Sequence, residues 1–184
     1  HKDAEVYIAD FKGGVDYPKV WHEKCRMCFT EEDLLYTLNQ LVAVLEYRKK
    51  ALKELGSPNI DAYNETTENK LPRLIFACDE VAEVLDKTGR SKEEKEQLAQ
   101  IENRLATLAR LGRAFGIHLI LATQRPDANI LPGQIKNNLD FRVCGRADSV
   151  LSQIILDNTS AAEQIPKDAR GRFITGDGTV FQGY

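Results

Sequence analysis

Leu34, Leu38, Leu41, Leu45, Leu52 and Leu55 recur at steps of three and four residues, apart from one gap. That spacing predicts a long amphipathic helix whose leucine stripe is core. Thr30 followed by Asp33 resembles a capping box with Asp in place of Glu, and Gly56 suits the stop. A second helix is traced by Leu98, Ile101, Leu105, Leu108 and Phe115, opened by Ser91 and Glu94 as a capping box and closed by Gly116. Three short runs read as strands: Glu5 to Asp10, Leu74 to Asp79, and Ile117 to Thr123. The last two are almost continuously apolar, as in a parallel sheet covered on both faces. A shorter strand is expected from Asp140 to Gly145, a short helix at 135–138 and another at 148–157. The segments 171–175 and 180–184 suggest a closing hairpin around Gly176-Asp177-Gly178. Residues 15–29 read as irregular. Residues 57–71 read as a loop with a helical turn near Ile60, and 86–95 as a charged loop entering a helix. The alternation predicts an α/β fold, a three-layer sandwich with a mostly parallel sheet.

Composition bounds this picture without changing it. The 184 residues suffice for one domain with a real core. The net charge of -3 does not advertise nucleic-acid binding, although an acidic protein can carry basic patches. No stretch approaches the roughly 20 apolar residues of a membrane span, and no secretory signal is visible. The chain opens on His1 and almost at once enters a strand, so an excised piece is expected. Cys25 and Cys28 form one C-x-x-C near His22. Zinc needs about four ligands, and no second such pair follows. Cys78 and Cys144 sit in apolar runs and read as buried, reduced thiols.

The chemistry gathers at strand ends. Leu74-Ile75-Phe76-Ala77-Cys78 delivers Asp79 and Glu80 to the carboxyl end of a strand, where open α/β sheets bind ligands. One acid there can hold Mg²⁺ through water and the other can take a proton from an attacking water. The plainer reading is an acidic helix start. Thr123-Gln124-Arg125-Pro126 ends the next apolar strand on the same edge. Gln124 could orient a water or contact a terminal phosphate, or simply begin a turn. Arg110 and Arg113 lie on the preceding helix, with Arg113 on the flank of the apolar face and Arg110 nearly opposite. Exposed arginines on helices are usually solvated. A flanking arginine can also reach into a neighbouring subunit and stabilise phosphoryl-transfer charge.

These residues together resemble the FtsK/SpoIIIE ATPases. The likeness lies in Asp79-Glu80 after its strand, in Gly116-Ile117-His118-Leu119-Ile120-Leu121-Ala122-Thr123-Gln124-Arg125-Pro126, in Ile135-Lys136-Asn137-Asn138 and in Ile155-Leu156-Asp157. Asp10-Phe11-Lys12 resembles the family's Asp-Pro-Lys with Phe in place of Pro, and the glycine-rich Asp10 to Gly14 looks closest to relatives on conjugative elements. The resemblance implies a RecA-like P-loop fold, ATP and Mg²⁺ as cofactors, and a homo-oligomeric, hexameric ring that moves DNA in segregation or conjugation. It implies Asp79 on the metal, Glu80 as general base, Gln124 as γ-phosphate sensor and Arg113 as a finger acting in trans. It also implies Asp10 and Lys12 near the nucleotide. Its DNA loops map near 86–95 and 127–138, which makes Lys87, Arg90, Lys92 and Lys136 candidate phosphate contacts. It further implies a bacterial cytoplasmic domain whose full-length protein can carry a membrane anchor.

One departure is severe: no G-x-x-x-x-G-K-[ST] phosphate loop occurs. The 184 residues are therefore expected to be the C-terminal part of a single motor domain, truncated at the N-terminal side, monomeric or dimeric, and to hydrolyse little ATP by themselves. Two rivals stand beside a DNA translocase: a type VII-like protein-secretion ATPase and a non-hydrolysing spacer or interaction domain.

Overall fold

The computed structural model describes residues 4–12, 14, 15, 17–124 and 131–183. The chain falls into two compact units that meet in sequence between Thr123 and Gln124.

The first unit is built on a four-stranded parallel sheet in the order β2-β1-β3-β4. Its strands are β1 (Ala4–Ala9), β2 (Arg26–Cys28), β3 (Arg73–Cys78) and β4 (Ile117–Leu121). β1 and β3 run in register from Ala4 opposite Arg73 to Ala9 opposite Cys78. β4 continues from Leu74 opposite Ile117 to Cys78 opposite Leu121. Helix α1 (Lys19–Lys24) precedes β2. Sequence reading leaves this segment irregular, because three residues in β2 are too few to show a period. Its ladder to β1, Tyr7 opposite Arg26 through Ala9 opposite Cys28, makes it a strand. Cys28 is buried with Sγ 3.1 Å from the Thr37 hydroxyl. Burial pushes its thiol above the usual range and pushes Cys78 up to about 12.

Helix α2 (Glu31–Glu54) buries Leu34, Leu38, Leu41, Leu45 and Leu52. A buried leucine contributes about 1.5–3 kcal/mol, so this stripe is a main source of the unit's stability. The cap departs from the reciprocal box. Thr30 accepts from the Asp33 amide at 3.1 Å, and Asp33, a methylene shorter than Glu, takes the Phe29 amide at 3.4 Å. At the other end Gly56 adopts φ +63°, with Ser57 N–H donating to Leu52 O and Gly56 N–H to Lys53 O, a Schellman stop. Leu55 is the C-cap just ahead of that glycine and is exposed, outside the core stripe. The gap in the stripe is filled by Arg48, 2 % exposed, which donates to Phe115 O at 2.7 Å and Pro72 O at 2.6 Å.

Helix α3 (Ile60–Thr66) extends the expected turn, capped by Asn59. A short α4 (Val81–Leu85) follows β3 directly, within a stretch whose five residues are too few for a periodic signal. Helix α5 (Lys92–Leu111) packs on α2 and carries the full Ser91/Glu94 capping box. It ends at Leu111 rather than at Gly116. A 3₁₀ turn (Gly112–Phe115) intervenes, and Gly116 then takes φ +70°. A Cβ there would stand 2.4 Å from Ile60 Cδ1, so only glycine fits. β4 pairs with β3 alone among the described residues, which leaves Ile120 57 % exposed.

The second unit holds α6 (Gly133–Lys136), β5 (Val143–Cys144), α7 (Ser149–Leu156), α8 (Ser160–Gln164), β6 (Arg172–Thr175) and β7 (Val180–Gln182). The expected hairpin of β6 and β7 is present, but β5 joins it in an antiparallel sheet of its own instead of ending the parallel alternation. Cys144, Leu156, Ala161, Ile165 and Ile174 form its core. No helix among the described residues is long and apolar enough to cross a membrane.

Candidate functional site

The register of the first sheet brings three strand ends to one edge. Beyond the last ladder pairs, Asp79 N–H donates to Ala9 O, Ala122 N–H to Cys78 O and Val81 N–H to Ala122 O. Asp10, Asp79-Glu80 and Thr123 therefore stand side by side at the carboxyl ends of β1, β3 and β4.

Asp10 is fully buried. Its Oδ1 accepts the Lys12 amide at 2.9 Å, while its Oδ2 has no hydrogen-bond partner. The Lys12 ammonium lies 3.6 Å from Asp79 Oδ2. Glu80 takes the left-handed conformation at φ +56°, and its Oε1 accepts from the Thr123 hydroxyl. A non-glycine residue held there costs of the order of 1–3 kcal/mol. The two consecutive acids thus engage opposite neighbours, Asp79 toward β1 and Glu80 toward β4. Sequence reading places Thr123 at this edge but gives it no part. Only the ladder, which sets Ala122 beside Cys78, reveals it as the group that orients Glu80.

The donors suit magnesium. It is a hard cation that keeps several waters and uses one or two carboxylates besides substrate phosphates. Asp79 supplies an accessible carboxylate, and Asp10 leaves a buried oxygen unsatisfied beside it. No group of three or more His, Cys, Asp or Glu that could hold a metal alone occurs among the described residues.

Arg113 lies on the 3₁₀ turn ahead of β4, at the opposite edge of the sheet. The five residues of β4 separate the two edges by about 15 Å at 3.3 Å per residue. Arg113 opens onto a hollow of about 600 Å³ shared with Arg73, Arg110, Asp61, Asn59 and His118. Arg110, exposed near the end of α5, lines the same hollow as Arg113 three residues on. Burial lowers the His118 pKa, and Arg73 and Arg113 lower it further.

Gln124 begins the second unit, and Arg125 and Pro126 lie outside the described residues, as do residues 127–130 of the expected loop. The four candidate phosphate contacts are all engaged with carboxylates. Lys87 pairs with Glu102 at 2.7 Å, Arg90 with Glu31 at 2.8 Å, Lys92 with Glu96 at 3.9 Å and Lys136 with Asp157 at 2.6 Å. Hydrogen bonds from Lys136 and Arg142 hold the Asp157 carboxyl below its ordinary range.

No protein-family model matches the chain. It is 36% identical over 130 residues to the DNA translocase FtsK of Chlorobaculum tepidum, a match covering 70% of this chain and 15% of that protein. Among solved structures it is similar to the conjugation coupling protein TcpA of pCW3, a monomer form with ATPγS, at 39% identity and a TM-score of 0.93. That match covers the whole chain and 52% of TcpA. EssC ATPases 2 and 3 from Geobacillus thermodenitrificans share the fold, with a TM-score of 0.73 at 21% identity over 98% of this chain and 33% of that one.

Proposed function

The chain belongs to the FtsK/SpoIIIE type of ATPase motor domain, and on that premise we propose that its full-length protein is an ATP-driven translocase of DNA in segregation or conjugative transfer. The observation that carries this reading is the shared strand edge. There an oriented carboxylate, Glu80 held by Thr123, stands next to a second carboxylate, Asp79, that faces Lys12 instead.

Glu80 takes the proton of the water that attacks the γ-phosphorus as ADP departs. Thr123 keeps the Glu80 carboxylate turned toward β4 and away from Asp79. Asp79 would hold Mg²⁺, which when bound would neutralise charge on the phosphate oxygens. Gln124 senses the γ-phosphate. Asp10 and Lys12 border the nucleotide. Arg113, about 15 Å from this edge, acts on the nucleotide of the next subunit in a hexameric ring. Lys87, Arg90, Lys92 and Lys136 meet DNA phosphates by exchanging surface ion pairs, each worth about 0–1 kcal/mol. Residues 1–184 form the C-terminal part of one motor domain in a cytoplasmic region, and alone they turn over little ATP.

TcpA is a conjugation coupling protein, and its higher identity than EssC favours DNA over a secreted polypeptide. ATP turnover of the full-length protein, measured with and without double-stranded DNA, tests the proposal. Several-fold stimulation by DNA is expected. No response to DNA together with stimulation by a secretion substrate overturns it. No turnover under any condition points instead to a spacer domain.

A further inference from the structure

Asp10 and Asp79 follow the paired residues Ala9 and Cys78 on adjacent strands, so their backbones run about 4.8 Å apart. A cation near strand ends so placed offsets the charge of two neighbouring acids. Lys12 is delivered to them by the chain itself: Asp10 Oδ1 takes the Lys12 amide and folds the turn back, and the ammonium then meets Asp79 Oδ2 at 3.6 Å. That separation exceeds the roughly 2.7–2.9 Å of a tight charged hydrogen bond. Both side chains are wet, 43% exposed for Lys12 and 31% for Asp79. This contact is therefore exchangeable rather than locked.

A divalent ion held on Asp79 through water would draw on the same oxygen, and its charge would repel the ammonium. We infer that Lys12 is an internal counter-ion that competes with the divalent cation for Asp79, so that loading the metal and releasing Lys12 are one event. This rests on the reading of Asp79 as the metal-binding residue. Phosphate oxygens arriving with the metal attract the freed ammonium, whereas a bare ion must displace it unaided. Lys12 thus biases the site toward metal that comes with nucleotide. Asp10 is the positioning residue, through the Lys12 amide.

Mn²⁺ alone tests this, titrated without nucleotide into the full-length protein and followed by electron spin resonance of the free ion and by water-proton relaxation. Lys12→Met should bind Mn²⁺ about fivefold tighter, the factor for an ion pair worth about 1 kcal/mol. Lys12→Arg, which keeps the charge, should restore the original affinity. Lys49→Met, which removes one charge from an α2 pair with Glu46, should leave it unchanged. Unchanged or weaker binding by Lys12→Met, with the site lost in Asp79→Asn, overturns the inference and leaves the metal reading standing. Tighter binding by Lys12→Arg or Lys49→Met of the same size as for Lys12→Met also overturns it. Binding that survives intact in Asp79→Asn removes the metal reading and the inference together.

Discussion

Glu80→Gln is expected to lower ATP turnover of the full-length protein about 10²–10⁴-fold, the range for loss of a general base, with nucleotide affinity retained. The substitution keeps size and the hydrogen bond from Thr123 but removes the carboxylate we propose as proton acceptor. Asp79 cannot take over, because it is turned toward Lys12 on the far side. Arg113 sits at the other edge of the sheet, so a chain lacking Glu80 still offers an intact Arg113 to its neighbour. Mixing Glu80→Gln with Arg113→Ala should then recover measurable turnover that neither variant has alone. Steady-state ATPase with a nucleotide-binding titration checks both. A Glu80→Gln enzyme within tenfold of the parent would remove Glu80 as base, and mixtures that stay silent would count against Arg113 acting between subunits.

The second large effect is on stability. Arg48→Ala should destabilise the first unit by roughly 3–5 kcal/mol, since hydrogen bonds from charged groups contribute about 1.5–3 kcal/mol each and a cavity is added. Arg48 is buried among leucines, and desolvation lowers its pKa, yet it is retained by hydrogen bonds to two backbone carbonyls. Those carbonyls belong to Pro72, ahead of β3, and Phe115, ahead of β4, so Arg48 pins the turn that carries Arg113. Arg48→Leu should regain only part of the loss, because apolar packing leaves both acceptors bare. Urea unfolding followed by circular dichroism measures this. A loss below about 1 kcal/mol, the scale of a surface contact, would show that water replaces the guanidinium.

Much of this was legible in the residues, and the rest follows from why signals fade. Leu34 to Leu52 announce α2, because one face of a long helix repeats often enough to be counted. Asp79 and Glu80 are visible because an apolar run stops at them. Their division of labour is not visible. It depends on which strands flank β3, and spacing along the chain does not carry sheet order. The left-handed turn at Glu80 is hidden for a sharper reason: glycine or asparagine usually marks such a position, and neither is there. Arg48 looks like a break in a stripe until the partners of its guanidinium are seen. β5 spans two residues and could not declare its direction.

With Glu80 in the proposed role, the backbone at position 80 sets folding and turnover against each other. Chains selected only for abundance would drift toward Gly or Asn at this site, since both relax the left-handed conformation. Chains selected for ATP consumption would keep Glu despite its cost. Consensus or stability-guided redesign of this motor would therefore mark residue 80 for replacement, and in doing so would discard the carboxylate we propose as the base.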